Sequence, residues 1–357
     1  MRSSEKSEDR FCNCRLEMNI EDKLLNMKKS LFLALSIILL CACSNKETVK
    51  LQKREFNSTS SILMVVPNNF TYNPETAESN PFMNDIPLDS VTEYAIAEFH
   101  NAVNILRDYG IEVHVVEDTP EPNTPDAVFP NNWFSTHSDG TLVLYPMCAP
   151  NRRDERKRSV LDTIKANFAY TRCVDLTRYE QDGLFLEGTG SMVLDRINKV
   201  AYACLSPRTS TEVFDDFCSI MGYKAVSFHS VDGNGLPIYH TNVMMSVCSD
   251  IAILCEQSIP DQQELEMVKD ELFKSGKKIV DISLSQMTQF AGNMLELHDK
   301  NGKMFIVMSE TARKSLSDDQ IDEITLNGTE IILIDIPIIE IVGGGSIRCM
   351  MAELYPI

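Results

Sequence analysis

Near the C-terminus the sequence reads Gly343-Gly344-Gly345-Ser346-Ile347-Arg348-Cys349-Met350-Met351-Ala352-Glu353. This stretch follows an apolar run, Glu330–Ile341, whose composition predicts a buried strand. Three consecutive glycines permit positive φ values and a close approach of the backbone to a ligand. A cysteine after such a loop is reactive as a thiolate, which a neighbouring cation such as Arg348 stabilises. Most single cysteines are inert core residues, so the rest of the chain must distinguish a nucleophile from a buried thiol.

A recurring unit links this loop to the rest of the chain. In each unit a polar residue precedes an apolar strand, a tight turn and a second strand, and a helical pattern separates it from the next unit. The units lie about fifty residues apart, a period typical of arrays and propellers. The polar residues that open the units are Asn132, Glu187, His240, Asn293 and Cys349.

The repeat predicts that these five positions meet. The unit that opens at Cys349 is completed by the N-terminal strand at Ile62–Val66. Helical patterns are predicted over 88–109, 153–168, 210–221, 262–275 and 311–326. If the units pack around one axis, the polar residues converge at one end of it.

Composition limits the classes of partner. The chain has 357 residues and a formal net charge of −19, which argues against nucleic acid because phosphate binding needs clustered Lys and Arg. Four of its eleven cysteines lie in the first 43 residues. The other seven form no CxxC pair, so they predict neither a disulfide framework nor a zinc site.

The first 43 residues have the features of a leader. Lys28-Lys29 is a basic region, and Leu31–Leu40 is an apolar stretch about half as long as a membrane-spanning helix. The following Leu40-Cys41-Ala42-Cys43 resembles a bacterial lipobox, which predicts lipidation at Cys43. The short apolar stretch favours this interpretation over an uncleaved anchor.

The leader also sets the predicted domain organisation. Residues 1–26 lack the character of a signal and are interpreted as a gene-model extension. Residues 44–60 are polar and predict a tether, and 61–357 predict a single catalytic domain. We therefore expect a lipid-anchored protein of the bacterial cell envelope, periplasmic or associated with the outer membrane. If the leader is not used, the protein is cytoplasmic.

Three residue types in the repeats indicate nucleophilic chemistry. His240 precedes an apolar strand, where a histidine serves either as a general acid and base or as a hydrogen-bonded structural residue. Glu187 lies among apolar residues, where a carboxylate needs a partner. Cysteine, histidine and glutamate at separate strand ends form a nucleophile, a base and a group that orients the base.

Other polar residues are candidates for substrate contacts. Asp126 and the turn at Asn131-Asn132 surround the single tryptophan, although Asn-rich turns are common. Arg152-Arg153 and Arg208 are cations that could bind a carboxylate, although surface arginines are equally common.

Four ordered motifs make the pattern specific: Thr124–Trp133, Leu186–Ser191, Tyr239–Met245 and Gly343–Glu353. Together they resemble the guanidino-group-modifying (pentein) superfamily of arginine deiminases, dimethylarginine dimethylaminohydrolases and amidinotransferases. The sequence is most similar to its bacterial citrulline-utilisation hydrolase branch. The resemblance covers the chain from about Ser61 to its end.

The resemblance implies a five-bladed α/β propeller of pseudo-fivefold ββαβ repeats, with neither metal nor cofactor. It implies that Cys349 is the nucleophile, His240 the general acid and base, and Glu187 the carboxylate that orients the histidine or the substrate. It also implies a substrate-binding set that consists of Asp126, Asn131, Asn132, Arg152, Arg153, Arg208 and Asn242. The partner implied is a small amino-acid substrate, with membrane contact only through the lipid anchor and an oligomeric state left open.

One departure from the superfamily bears on the substrate. Guanidine-processing relatives carry acids where this chain has Asn131 and Asn132, and deiminases also carry one at the position of Asn242. A guanidinium calls for carboxylates, whereas asparagine offers a donor and an acceptor to a neutral group. We therefore expect hydrolysis of citrulline to ornithine, ammonia and carbon dioxide. The alternatives are arginine deiminase, dimethylarginine hydrolase or amidinotransferase activity, and, from another class, a lipid-anchored amino-acid-binding protein without turnover.

Overall fold

Five three-stranded sheets with one common topology build the fold. The structure is a computed structural model that describes residues 56–168 and 170–355. Contacts group Glu55–Ile357 into one compact unit. The leader, the lipidation site Cys43 and residues 44–55 of the tether lie outside the described residues, so those predictions stay predictions.

The strands are short and evenly distributed. They are β1 (Ser61–Val66), β2 (Glu112–Glu117), β3 (Phe134–Thr136), β4 (Thr141–Leu144), β5 (Arg172–Asp175), β6 (Val193–Asp195), β7 (Val200–Cys204), β8 (Lys224–Phe228), β9 (Met245–Val247), β10 (Ile251–Leu254), β11 (Lys278–Asp281), β12 (Leu295–His298), β13 (Met304–Ser309), β14 (Glu330–Ile334) and β15 (Ala352–Leu354). The sheets have the orders β15-β1-β2, β3-β4-β5, β6-β7-β8, β9-β10-β11 and β12-β13-β14.

Each sheet is a ββαβ unit. The first two strands pair antiparallel and the second and third pair parallel in all five sheets. A parallel pair needs a crossover connection, and a helical segment supplies it in every unit. The predicted α/β repeat architecture is therefore confirmed.

The helices are α1 (Pro74–Ala77), α2 (Val91–Asp108), α3 (Pro150–Arg153), α4 (Arg158–Asn167), α5 (Gly188–Ser191), α6 (Thr211–Met221), α7 (Thr241–Met244), α8 (Gln262–Lys274), α9 (Leu284–Met287), α10 (Glu310–Ser315), α11 (Asp318–Ile324) and α12 (Pro337–Gly343). Five short 3₁₀ turns lie at Pro130–Asn132, Thr177–Asp182, Glu256–Ser258, Leu326–Gly328 and Ile347–Met350. No helix among the described residues is long and apolar enough to span a membrane.

The N-terminal strand closes the repeat as predicted. Strand β1 pairs antiparallel with β15, so that Ile62 faces Glu353, and it pairs parallel with β2. The unit that opens at Cys349 is thus completed by residues almost 300 positions earlier. This pairing brings the C-terminal loop into the same architecture as the other four units.

The prediction of one buried strand over Glu330–Ile341 is wrong in its second half. Strand β14 ends at Ile334, and helix α12 begins at Pro337. Proline is favoured at the first helical position because its missing N–H needs no partner there. The carboxylate of Glu98 accepts the main-chain N–H groups of Ile338 and Ile339 at 2.9 and 3.0 Å, which caps the helix start.

The tether boundary at residue 60 is also shifted by the structure. Asn57, Ser58 and Thr59 are buried. The Asn57 amide donates to the main-chain oxygens of Leu194 and Val247 at 3.1 and 2.9 Å. Folded contacts therefore begin several residues before β1. The sequence did not predict this, because polar residues are usually exposed and the buried carbonyls that bond to Asn57 are far away in the chain.

Candidate active site

Cys349 lies in the turn that follows the glycine loop. Helix α12 ends at Gly343, and Gly344 adopts a φ of +62° that favours glycine. A Cβ atom on Gly344 would lie 2.6 Å from the amide of Asn80 and from the side chain of Met83. Contacts within the protein thus explain why residue 344 is a glycine. Cys349, which follows this loop, has 5% of its surface exposed.

A hydrogen bond joins the predicted base to the predicted orienting carboxylate. His240 immediately precedes α7, and Glu187 immediately precedes α5. His240 Nε2 lies 2.8 Å from Glu187 Oε2, and both side chains are buried. Within the described part of the chain, Nδ1 of His240 has no hydrogen-bond partner, and the residue lines the same cavity as Cys349. The arrangement leaves Nδ1 for the reacting groups.

Two arginines keep the Glu187 carboxylate ionised. Burial opposes ionisation, but the Arg208 guanidinium at 3.5 Å, the bond from His240 and the Arg152 guanidinium at 4.0 Å together hold the pKa of Glu187 below its usual value. The main-chain N–H of Cys148 also donates to Glu187 Oε1 at 2.9 Å. Burial is the main reason that the pKa of His240 lies below its usual value, although Glu187 opposes this shift. His240 is therefore neutral in the resting site and able to accept a proton.

Two carboxamides contact the cysteine sulfur. The Nδ2 atoms of Asn242 and Asn293 lie 3.5 and 3.3 Å from Cys349 Sγ. Arg348, the cation next in sequence, points away and forms an ion pair with Glu353 at 3.0 Å. The expected contribution of Arg348 to the thiolate is therefore not supported, because its charge is committed to a buried carboxylate.

The polar residues around the tryptophan divide between the cavity and the protein interior. Asp126 and Asn132 line the cavity that contains Cys349. Asn132 accepts a hydrogen bond from Arg152 Nη1 at 2.8 Å, while its own Nδ2 is buried without a hydrogen-bond partner. Asn131 instead donates to Thr189 at 3.3 Å and does not line the cavity. Asn132 is the better-placed substrate contact of the two.

The three predicted cations have different environments. Arg208 lines the cavity, and its guanidinium bonds to the main-chain oxygen of Thr76 and to Ser79. Arg152 also lines it, but a double contact with Glu155 at 2.7 and 3.0 Å fixes its orientation. The structure does not bring Arg153 to the site, because that side chain donates to the main-chain oxygens of residues 147 and 148.

The segment that contains α1 lines one side of the cavity through Thr76 and Asn80. Asn73 and Thr76 donate to the carboxylate of Asp126 at 2.8 and 2.9 Å, and Asn80 donates to the main-chain oxygen of Gly344 at 3.2 Å. The cavity has a volume of about 20 Å³, which corresponds to about one water molecule.

Two contributors to the site lie outside the predicted set of catalytic and substrate-binding residues. Asn293 opens the fourth unit and occupies the position equivalent to His240 and Cys349, so the repeat contained the signal for it. The segment around Asn73–Asn80 carries no repeat signal, and its role depends on contacts with residues far away in the chain. Within residues 56–168 and 170–355, no cluster of three or more His, Cys, Asp or Glu side chains is arranged to hold a metal ion.

A comparison with family profiles finds one match that spans most of the chain. Residues 66–356 match a family described as eukaryotic N,N dimethylarginine dimethylhydrolase. No sequence among curated proteins matches the chain.

Solved structures with a similar fold include an arginine dihydrolase and a dimethylarginine hydrolase. The N-terminal domain of the cyanobacterial arginine dihydrolase ArgZ, bound to substrate, superposes with a TM-score of 0.66 at 17% identity and covers 85% of this chain and 99% of that domain. AgrE in complex with L-arginine gives 0.66 at 18% identity over 83% of this chain and 40% of AgrE. A dimethylarginine dimethylaminohydrolase adduct with S-methyl-L-thiocitrulline gives 0.55 at 12% identity over 82% and 99%.

These matches identify the fold. All three identities are low, so the likeness concerns the arrangement of the chain alone. The chain spans 41% of full-length ArgZ. The shared architecture is the five-bladed α/β propeller of the penteins.

Proposed function

The chain belongs to the N,N-dimethylarginine dimethylhydrolase family, within the superfamily that its motifs resemble, and we propose that it is a thiol-dependent hydrolase of citrulline. Its family makes it an enzyme that hydrolyses carbon–nitrogen bonds other than peptide bonds. One observation carries the substrate: the uncharged amide of Asn132 lines the cavity, and those of Asn242 and Asn293 contact the Cys349 sulfur. Amides suit a neutral ureido group, whereas a guanidinium calls for counter-charge.

The proposed reaction begins when the Cys349 thiol ionises and His240, which lines the same cavity, takes up the proton at Nδ1. The thiolate attacks the ureido carbon of citrulline, and His240 returns the proton to the departing side-chain nitrogen of ornithine. This leaves a carbamoyl thioester on Cys349. His240 then deprotonates water, which displaces the sulfur and releases carbamate. Carbamate decomposes to ammonia and carbon dioxide, and Glu187 stabilises the protonated His240 in both halves.

Arginine is the second candidate substrate. Asp126 Oδ1 lines the site and is buried without a hydrogen-bond partner, so it could accept an N–H from a guanidinium. ArgZ, which shares the fold, is described as an arginine dihydrolase. In that reaction a first attack releases ammonia and leaves citrulline, and a second produces ornithine. Dimethylarginine, the substrate in the family's description, would release dimethylamine in the first attack.

A product assay separates these candidates. The purified protein is incubated separately with L-citrulline, L-arginine and asymmetric dimethylarginine, and ornithine, citrulline, ammonia and dimethylamine are quantified by mass spectrometry. We expect ornithine from citrulline. Accumulation of citrulline from arginine, with citrulline itself unchanged, would replace the proposal by a deiminase. Binding of all three amino acids without any product would identify a binding protein.

Replacement of Asn132 by aspartate tests the role of the amides. The variant loses the Nδ2 donor for the neutral ureido oxygen and gains a charge beside Arg152. We expect kcat/KM for citrulline to fall roughly ten- to a hundred-fold and the preference to move towards arginine. The matched control is Asn301→Asp in an exposed turn, which should leave both substrates unaffected. Equal losses on citrulline and arginine would contradict a role in selecting the head group.

We further propose that the protein is anchored to the cell envelope through Cys43. Cys43→Ala should move the protein from the membrane fraction to the soluble fraction, as measured by immunoblotting after fractionation. A chain that begins at residue 55 should retain activity, because it keeps the buried contacts of Asn57. Recovery of the wild-type protein entirely in the soluble fraction would reject the anchor.

A further inference from the structure

We infer that Asn293 and Asn242 together form an anion-stabilising pocket for the Cys349 sulfur. The inference rests on the proposed role of Cys349 as a nucleophile, and it is independent of which amino acid the enzyme hydrolyses. In this arrangement Asn293 contacts the reacting sulfur directly and takes the place of a neighbouring cation.

The contacts match the needs of a thiolate. The Nδ2 groups of Asn293 and Asn242 approach Sγ at 3.3 and 3.5 Å, within hydrogen-bond distance for sulfur. Asn293 Oδ1 lies 3.7 Å from Sγ, where it can accept the S–H of the neutral thiol. All three residues are buried, and hydrogen bonds to an ionised acceptor are stronger when water is excluded.

The orientation of the Asn293 amide is determined by a second contact. Its Nδ2 also donates to the main-chain oxygen of Asn242 at 3.0 Å. A flipped amide would place Oδ1 against that carbonyl oxygen, which is unfavourable. The donor end of Asn293 therefore faces both Asn242 and the sulfur.

The backbone before Asn293 has an unusual conformation that places the Asn293 side chain next to the sulfur. Phe290 has a φ of +62°, an uncommon conformation for a bulky residue. A Cβ atom on Gly292 would overlap the main-chain oxygen of Val243, so the loop lies directly against α7. Residues 290–293 are thus packed closely against the turn that contains His240 and Asn242.

Among residues 56–168 and 170–355, no Lys or Arg side chain donates a hydrogen bond to the sulfur. Arg348 is paired with Glu353, and Arg152 and Arg208 approach Glu187. A thiolate that no Lys or Arg side chain contacts depends on other hydrogen-bond donors for stabilisation. The two carboxamides are the groups in contact with Sγ that supply them.

The test measures alkylation of Cys349 and requires no substrate. Full-length wild type, Asn293→Ala and the near-isosteric Asn293→Asp are treated with iodoacetamide between pH 5 and 10. Trypsin cleaves after Arg348, so the peptide of residues 349–357 reports this cysteine separately from the others. We expect alkylation at pH 7 to slow roughly tenfold or more in both variants, and the pH profile to move to higher pH.

The controls distinguish stabilisation of the sulfur from a loss of structure. Asn57→Ala removes a buried amide that donates to main-chain oxygens but does not contact the sulfur, and it should leave the alkylation profile unchanged. Thermal unfolding is measured for every variant. An unchanged alkylation rate and pH profile in folded Asn293→Asp would overturn the inference. Slowed alkylation in a protein that hydrolyses none of the candidate amino acids would support the pocket while rejecting the proposed function.

Discussion

Replacing Cys349 by alanine is expected to abolish turnover, with a loss of about 10⁴-fold or more in kcat. The sulfur lies in the cavity lined by His240, Asn132 and Asp126, and no other cysteine of the described part of the chain lines it. Without the sulfur, no carbamoyl thioester forms, and the water molecule has no thioester to hydrolyse. Ornithine production under saturating citrulline provides the measurement.

A matched control is available for this prediction. Cys173→Ser changes an exposed thiol on β5 and should retain full activity. Mass spectrometry of wild type quenched during turnover should detect the carbamoyl adduct on the peptide of residues 349–357. The modified peptide should be about 43 Da heavier than the free peptide. Activity in Cys349→Ala close to that of the wild type would reject the covalent mechanism.

Replacing Glu187 by glutamine is expected to reduce kcat roughly 10³- to 10⁴-fold. The carboxylate accepts a hydrogen bond from His240 Nε2 at 2.8 Å, which leaves Nδ1 as the proton acceptor. A glutamine amide that donates to Nε2 would favour the wrong tautomer, and it could not stabilise protonated His240. Steady-state kinetics with citrulline should show the loss mainly in kcat.

The same substitution has a separate effect on stability. It leaves Arg208 and Arg152 without the buried carboxylate that lies 3.5 and 4.0 Å away, a change that costs about 3 kcal/mol of unfolding free energy. Glu296→Gln is the matched control, since Glu296 is also buried but bonds to Ser249 rather than to a histidine. If both variants lose the same fraction of activity, the effect of Glu187 is structural.

The pH dependence of stability follows from the direction of these pKa shifts. Glu187 has a folded-state pKa below its unfolded value, so its stabilising contribution is present above about pH 4.3 and is lost as the pH falls further. His240 also has a lowered folded-state pKa, and protonation of the unfolded chain below about pH 6.5 therefore destabilises the native state. Denaturant unfolding of the wild type between pH 3 and 7 should therefore show an unfolding free energy that decreases as the pH falls.

The repeat architecture could be predicted from the sequence because it is written in local patterns. Apolar strands, turn residues and helical spacing recur in each unit, and the antiparallel and parallel pairings follow from short and long connections. The pairing of β1 with β15 was predictable for the same reason, since the C-terminal unit lacked strands that the N-terminus could supply. Periodicity also placed Glu187, His240 and Cys349 at equivalent positions. In the structure His240 and Cys349 line one cavity, and Glu187 bonds to His240.

The apolar run before the glycine loop shows the limit of local composition. Its residues suit either a strand or a buried helix. From Pro337 onwards a helix forms, because proline is favoured at a helix start and the Glu98 carboxylate accepts hydrogen bonds from the first N–H groups. Glu98 lies on α2, more than 200 residues earlier. The information that ends β14 and begins α12 is therefore partly non-local.

Local sequence patterns predict the ββαβ repeat, the order of the motifs and the residue types of the site. Which polar groups contact one another depends on how the units pack. Arg152 and Arg153 are adjacent in sequence, yet one contacts Asn132 and the other turns to main-chain carbonyls. Asn293 reaches the sulfur because the close approach of its loop to α7 aims it there. Such choices depend on distances between side chains from different units, and these distances exist only once the units have packed together.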